Sequence, residues 1–129
     1  HGGLPASVRN LQEIAQANKL HPDKPFLEEL LWNDPDETVE GVLPSPRGAG
    51  ELFGKAISEE VLSRLNAKIL IRSHEPAPKG YRINHSGKVL TLFSLKGAPY
   101  FNEHGAYLDV PLNRKFETAN QLLPFIHVF

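Results

Sequence analysis

KILIRSHEPAPKGYRINHSGKVLTLF, residues 68–93, is the stretch that decides the class of fold. Its first five residues (68–72) form a short β-branched run, which is typical of a buried strand. Two further runs, 80–84 and 88–93, flank the tripeptide HSG (85–87), whose glycine suits the tight turn of a β-hairpin. The stretch therefore predicts one buried strand followed by a hairpin.

Helical patterns come before this stretch. Apolar residues recur at helical spacing in 8–15 and again in 26–31. Ser7 and Ser58 suit the N-caps of a first helix and of a later short helix. After the hairpin, residues 106–110 are a further strand candidate. Helices followed by strands with short connections predict a mixed α/β fold in layers, which some schemes would class as α+β.

The composition argues against several classes of protein. The chain has 129 residues, of which 40% are apolar, and this suits one domain or one part of a larger domain. Its formal charge of -1 at pH 7 gives no reason to expect nucleic acid or an anionic membrane as a partner. The absence of cysteine excludes disulfides and thiolate metal sites. No apolar run approaches the roughly 18 residues that cross a bilayer, and we expect a cytoplasmic protein.

Two of the six histidines occupy settings that favour a chemical role. His1 is followed by two glycines, which allow the backbone to bend sharply and to approach a ligand closely. His74 directly follows the predicted strand, and the carboxyl end of such a strand is where α/β folds place working residues. Metal ligands and polar surface residues remain alternatives for this pair. The other histidines are interpreted as structural or solvated: His21, His85, His104 and His127.

The segment 33–50 carries a candidate anion-binding arginine. It is rich in proline, glycine and acidic residues and is predicted to be a long ordered loop, which in a compact domain is usually functional. Arg47 lies between Pro46 and Gly48, a setting that can present a fixed guanidinium fork to a phosphate or a carboxylate. An exposed arginine without a role is the alternative. Trp32, beside the acidic residues, is predicted to lie in the core, with most of those carboxylates solvated.

The first residue of the chain has an unusual setting. The sequence contains no methionine and begins at His1, directly before the glycine pair. Because a free amino terminus frays unless other groups hold it, we expect His1 to be an internal position of a longer chain. A processed terminus is the alternative.

Read in order, six segments resemble the PPP family of serine/threonine protein phosphatases, within the calcineurin-like metallophosphoesterase superfamily. The resemblance runs from His1 to about Val110, in the order and near the spacing of the family. The matching segments are HGGLP (1–5, family HGGL-S-P), LLWNDPD (30–36, L-L-W-S-D-P-D), SPRGAGELFG (45–54, N-D-R-G-x-x-x-x-F-G), RSHE (72–75, R-A-H-Q), VLTLFS (89–94, V-T-x-F-S) and GA (105–106, G-A).

The resemblance implies a fold and a domain boundary. Residues 1–129 would be the C-terminal half of a four-layer αββα sandwich. They would form the C-terminal portion of a single metallophosphatase catalytic domain, with the N-terminal half absent from this sequence. A member of the prokaryotic or archaeal type is one alternative within the family.

The resemblance also implies roles for individual residues. His1 and His74 would be imidazole ligands of the same ion in a centre of two divalent or trivalent metal ions, for which manganese, iron or zinc is suitable. Arg47 would bind the phosphate of the substrate and stabilise the charge that develops in the transition state. Asp34 would support the catalytic site, and Trp32 would pack beneath it.

The sequence departs from the family pattern in two places. The position of the family's substrate-facing tyrosine is Ala98 here, and Tyr100 could bind substrate through a different loop path. The upstream motifs D-x-H, G-D-x-V-D-R-G and G-N-H-E are absent. In the family they carry the remaining metal ligands, a second phosphate-binding arginine and the catalytic histidine. We therefore expect the fragment to be inactive alone and to need the missing N-terminal half as its partner.

The expected activity of the parent domain is the metal-dependent hydrolysis of phosphoserine and phosphothreonine in proteins. A related hydrolase of another phosphoester, such as a dinucleoside tetraphosphate, is one alternative. A non-catalytic binding module or a degenerate relative is the other. Exposed apolar surface would favour part of an enzyme, because half of a layered sheet leaves a face and an edge uncovered.

Overall fold

Three short helices form the first part of the chain in the computed structural model, which describes all of residues 1–129. They are α1 (Leu11–Ala15), α2 (Ala17–Leu20) and α3 (Phe26–Trp32). The predicted cap of the first helix, Ser7, was wrong. Asn10 caps it instead, because its side chain accepts a hydrogen bond of 3.0 Å from the backbone N–H of Glu13.

A small sheet occupies part of the segment that was predicted to be a long loop. Its strands are β1 (Asp34–Pro35), β2 (Val42–Pro44) and β3 (Glu51–Phe53). β3 lies in the middle, parallel to β1 and antiparallel to β2. The loop prediction for 33–50 was therefore wrong in part. Strands of two or three residues are too short for an alternating pattern to show in the sequence.

Helix α4 (Lys55–Arg64) begins after Gly54, three residues before the predicted cap Ser58. That prediction was wrong because the Ser58 side chain is turned inward, where its Oγ lies 2.7 Å from Nδ1 of His85. The other ring nitrogen of His85 lies 3.1 Å from the carbonyl oxygen of Asp36, which can only accept. Nε2 therefore donates to Asp36, and the Ser58 hydroxyl donates to Nδ1. His85 is a buried structural residue, which is one of the two roles expected for it.

The predicted strand and hairpin form a second three-stranded sheet. Its strands are β4 (Leu70–Arg72), β5 (Tyr81–Asn84) and β6 (Val89–Leu92). β6 lies in the middle, parallel to β4 and antiparallel to β5, and a short 3-10 helix at His85–Gly87 makes the turn. The hairpin prediction is confirmed. The prediction that the first strand is buried was wrong, because β4 lies at the edge of the sheet and Ile71 is 50% exposed.

The last part of the chain adds a pair of antiparallel strands, β7 (Ala106–Leu108) and β8 (Ile126–Val128). The strand predicted at 106–110 is thus confirmed, with an earlier end. A 3-10 helix at Ala119–Phe125 leads into β8 and begins with a capping box of Thr118 and Gln121.

The core consists of two clusters of apolar side chains. The larger cluster joins the helices to both three-stranded sheets and includes Val8, Phe53 and Val61, all at 0% exposure. The smaller cluster packs Leu90 of β6 against Leu122. The prediction of a mixed α/β fold is confirmed. None of the helices has the length and apolar character needed to cross a membrane.

Candidate active site

The two histidines that were predicted to be metal ligands lie in contact. The Nδ1 atom of His74 is 3.0 Å from Nε2 of His1, and the ring centroids are 4.8 Å apart. The backbone N–H of Ser73 donates to the carbonyl oxygen of His1 at 3.1 Å. This bond holds the beginning of the chain beside the carboxyl end of β4.

Gly2 allows the chain to pass close to the end of α3. Its N–H donates to the carbonyl oxygen of Leu30 at 2.8 Å. A Cβ atom on Gly2 would lie 2.6 Å from both the carbonyl carbon and the carbonyl oxygen of Leu31, closer than real side chains approach. The position therefore requires glycine, and His1 is held next to α3 as a result.

His74 lies at the centre of a strained turn. Its φ is +75°, and the N–H of Glu75 donates to the carbonyl oxygen of Ser73 at 2.9 Å across it. A positive φ with this hydrogen bond is the rarer form of γ-turn, which is strained for residues other than glycine. Such strain persists only where surrounding contacts fix the conformation, and it is concentrated at functional sites.

Arg47 contacts the opposite side of the His74 ring. Its Nη2 atom lies 2.9 Å from Nε2 of His74 and also donates to Oδ2 of Asp34. A guanidinium group can only donate, so Nε2 of His74 must accept. The neutral His74 ring then carries its proton on Nδ1 and donates to Nε2 of His1.

The surroundings favour the neutral form of His74. Burial lowers the pKa of the His74 imidazole, and the positive charges of Arg47 and Arg72 lower it further. Neutral imidazole is the form that binds metal ions. The neutral charge of the His74 ring therefore suits a ligand, whereas binding through Nδ1 would require the proton to lie on Nε2 instead.

Arg72, which sequence reasoning did not single out as a site residue, lies behind the histidines with its side chain fully buried. Its Nη2 atom donates to Oδ1 of Asp34 at 2.6 Å, its Nη1 atom donates to Glu75 at 2.7 Å, and its Nε atom donates to the carbonyl oxygen of Gly2. Burial lowers the pKa of Arg72 to about 10, although Glu75 acts in the opposite direction. Arg72 remains charged at neutral pH. The signal in the sequence was an arginine at the end of a short apolar run.

Asp34 joins the two arginines. Its carboxylate is nearly buried, and each oxygen accepts from a different guanidinium group, Oδ1 from Arg72 and Oδ2 from Arg47. The contacts close into a ring, which we call the histidine–arginine ring. Its members are His1, Gly2, Arg72, Asp34, Arg47 and His74.

Of the two aromatic residues named from the sequence, Trp32 contacts the site and Tyr100 does not. Trp32 was predicted to be core, but it is 41% exposed, and its ring lies nearly perpendicular to that of His74 at a centroid distance of 5.4 Å. The core prediction was wrong because the indole packs beside His74 at the site and not in the interior. Tyr100 packs on Phe93 at 5.3 Å and is 58% exposed. No hydrogen bond or ring contact joins Tyr100 to the histidine–arginine ring.

The distance between Nε2 of His1 and Nδ1 of His74 is compatible with both nitrogens binding one metal ion. Imidazole nitrogens bind zinc at about 2.0 to 2.1 Å, so two ligands of one ion lie within about 4.2 Å of each other. The separation of 3.0 Å meets this limit. The chain contains no group of three or more His, Asp or Glu side chains arranged to hold a metal ion. It therefore supplies two candidate ligands, fewer than the roughly three protein ligands of a catalytic zinc ion.

Comparison with known protein families gives one match over the site region. The calcineurin-like phosphoesterase family matches residues 1–78, which include every member of the histidine–arginine ring.

Individual relatives are named as protein phosphatases. A probable serine/threonine-protein phosphatase of Encephalitozoon cuniculi is 41% identical over 111 residues, which cover 84% of this chain and 24% of that protein. Serine/threonine-protein phosphatase T of Trypanosoma brucei brucei is 40% identical over 98 residues, or 73% of this chain and 21% of that protein. The chain thus spans about a quarter of the length of these relatives.

A solved structure shares the fold. It is a protein serine/threonine phosphatase from Saccharomyces cerevisiae with similarity to human phosphatase PP5, and it superimposes with a TM-score of 0.66 at 33% identity. The match covers 82% of this chain and 34% of the yeast chain. The chain therefore belongs to the calcineurin-like phosphoesterase family, within its serine/threonine protein phosphatase branch.

Proposed function

We propose that this chain is one part of the catalytic domain of a protein phosphatase that hydrolyses phosphoserine and phosphothreonine with the aid of two metal ions. The observation that carries the proposal is the convergence of His1 and His74 beside Arg47. The names of the relatives support the substrate class. Manganese, iron and zinc all suit imidazole ligands.

His1 and His74 would hold one of the two ions through Nε2 and Nδ1. When bound, the ions act as Lewis acids on the phosphoryl group and lower the pKa of the water that attacks it. Binding through Nδ1 would require the neutral ring of His74 to carry its proton on Nε2, so that the lone pair on Nδ1 is free to bind the ion. Burial lowers the pKa of the His74 imidazole and so favours this neutral form. Two more contacts hold the backbone around the ligands, Ser73 to His1 and Glu75 to Ser73.

Arg47 would bind the phosphate of the substrate. Its side chain is 41% exposed, so part of the guanidinium group reaches solvent while Nη2 donates to Asp34. A guanidinium group has five N–H donors, and the remaining ones match the oxygens of a phosphate. Asp34 would act as the support that orients Arg47.

We propose the remaining part of the same catalytic domain as the partner of this chain. A cleft of about 550 Å³ begins at His1 and is lined by Ile71 of the edge strand β4 and by Tyr107 of β7. Both side chains are about half exposed, and an edge strand with an apolar side chain is a surface that another strand can cover. The partner would cover this cleft and supply the further metal ligands.

The experiment measures hydrolysis of p-nitrophenyl phosphate and of a phosphoserine peptide with added Mn²⁺. The chain is assayed alone and together with the remaining part of the domain from the same gene. We expect no turnover by the chain alone and phosphopeptide hydrolysis by the reconstituted pair. A stable pair without activity would contradict the proposal, and so would a preference for diadenosine tetraphosphate over the phosphopeptide.

A physical readout separates the enzyme from a binding module. We expect the chain alone to bind the apolar dye ANS at its exposed cleft and to lose this binding when the partner is added. A monomer that binds neither ANS nor Zn²⁺ would indicate an independent, non-catalytic module.

A further inference from the structure

We propose that Arg72 is a positioning residue that sets the distance between His1 and His74 and the direction of Arg47. The part of this inference that concerns metal binding rests on the proposed function. Its structural part depends only on the contacts of one side chain.

The guanidinium group of Arg72 contacts the residue that follows each histidine. Its Nε atom donates to the carbonyl oxygen of Gly2, which follows His1. Its Nη1 atom donates to Oε2 of Glu75, which follows His74, at 2.7 Å. A single rigid planar group thus contacts the backbone next to His1 and the side chain of the residue next to His74.

The third nitrogen of the Arg72 guanidinium group is linked through Asp34 to Arg47, the candidate phosphate-binding residue. Nη2 of Arg72 donates to Oδ1 of Asp34 at 2.6 Å, and the other oxygen of Asp34 accepts from Arg47. Arg47 in turn lies 2.9 Å from Nε2 of His74. The direction of Arg47 therefore depends on Arg72 through one carboxylate.

The chemistry of the side chain explains why an arginine is needed. A lysine has one compact charge on a flexible stem, whereas a guanidinium group presents donors in three fixed directions. Burial of an uncompensated charge is costly, and Asp34 and Glu75 compensate the charge of Arg72. Arg72 directly precedes the strained γ-turn at His74, and Glu75 is its last residue, so their ion pair spans the turn.

The test replaces Arg72 with lysine in the 129-residue chain and follows the imidazole rings by 15N NMR. In the wild-type chain we expect His74 to carry its proton on Nδ1, because Arg47 donates to Nε2. In R72K we expect this signature to be lost. We also expect Zn²⁺ affinity, measured by calorimetry, to fall by about 10- to 100-fold, the usual effect of removing a group that orients metal ligands.

Arg82 provides the matched control. Its Nη2 atom also contacts Oε2 of Glu75, at 2.9 Å, but it reaches neither Gly2 nor Asp34. R82K should keep both the wild-type imidazole spectrum and the wild-type Zn²⁺ affinity. A folded R72K chain that is indistinguishable from R82K in both measurements would overturn the proposal.

Two further outcomes are also decisive. R72K could fail to fold, as judged by circular dichroism, and E75Q is then the test. It removes the charge of only one partner of Arg72, and we expect it to change the His74 spectrum in the same direction, to a smaller extent. An unchanged spectrum in E75Q would overturn the proposal. A wild-type chain that binds no Zn²⁺ even when paired with the remaining part of the domain contradicts the metal site of the proposed function, whereas the imidazole spectra still decide the role of Arg72.

Discussion

Nδ1 of His74 lies 3.0 Å from Nε2 of His1, although 73 positions separate the two residues along the chain. The contact is supported by the Ser73–His1 backbone bond and by the arms of Arg72. Because the Ser73–His1 and Arg72–Gly2 contacts join distant parts of a small chain, the geometry of the site and the stability of the fold depend on the same groups.

The first prediction concerns Asp34, which is nearly buried between two guanidinium groups. We expect D34A to lower the free energy of unfolding by about 3 to 5 kcal/mol, because it removes the buried carboxylate partner of Arg72 and leaves the partly exposed Glu75 to compensate the buried charge. Urea unfolding measures the difference. E59Q is the control, since Glu59 forms an exposed pair with Lys55 and should change stability by less than about 1 kcal/mol. Equal effects of the two substitutions would contradict the prediction.

The second prediction uses the positive φ of His74. At most positions a glycine variant is less stable than an alanine variant. At a φ of +75°, however, alanine is strained and glycine is not. We expect H74G to be more stable than H74A by about 1 kcal/mol in urea unfolding. The same pair of substitutions at Lys79, which is exposed and is not among the residues with positive φ, should show the ordinary order, with alanine the more stable variant. An H74A chain as stable as H74G would contradict the strained turn.

The sequence predicted those site residues that lie beside residues with a distinctive backbone preference, and it missed those that depend on contacts between distant parts of the chain. His1, His74 and Arg47 stood out because glycine, proline and a strand end mark unusual backbone positions. The role of Arg72 was not visible, because its partners Gly2 and Asp34 are distant in the chain and burial alone makes the guanidinium group important. The same limit applied to Ser58 and His85, whose mutual hydrogen bond forms only when the hairpin folds over α4.

The third prediction concerns pH. Glu29 on α3 is 7% exposed, and one of its carboxyl oxygens has no hydrogen-bond partner. Burial raises the pKa of Glu29 to about 7, and the negative charges of Glu51 and Glu28 act in the same direction. The folded chain therefore holds this proton more tightly than the unfolded chain, and the resulting stability is complete below pH 4.5 and is lost as the pH rises through about 7.

E29Q removes this dependence, because glutamine remains neutral at every pH. Relative to the wild-type chain, we expect E29Q to gain stability between pH 5 and pH 8 by up to about 3 kcal/mol, since one pKa unit corresponds to about 1.4 kcal/mol. Urea unfolding at the two pH values measures the gain. E40Q, at an exposed position, should show the wild-type pH dependence. Parallel pH profiles for E29Q and the wild-type chain would contradict the raised pKa.

The last prediction concerns the phosphate-binding role of Arg47 and is measured in the reconstituted catalytic domain. We expect R47A to lower kcat for a phosphoserine peptide by about 100- to 1000-fold, because it removes a donor aimed at charge that develops in the transition state. R47K should recover part of this loss, since it keeps the charge but not the fork.

The effect of R47A on the free energy of unfolding should be small by comparison with that of D34A, because the Arg47 side chain is 41% exposed. R9A is the control, since Arg9 pairs only with Glu13 on the surface, and it should leave kcat unchanged. An R47A domain with wild-type kcat would show that the contact of Arg47 with His74 and Asp34 is structural and that another group binds the phosphate.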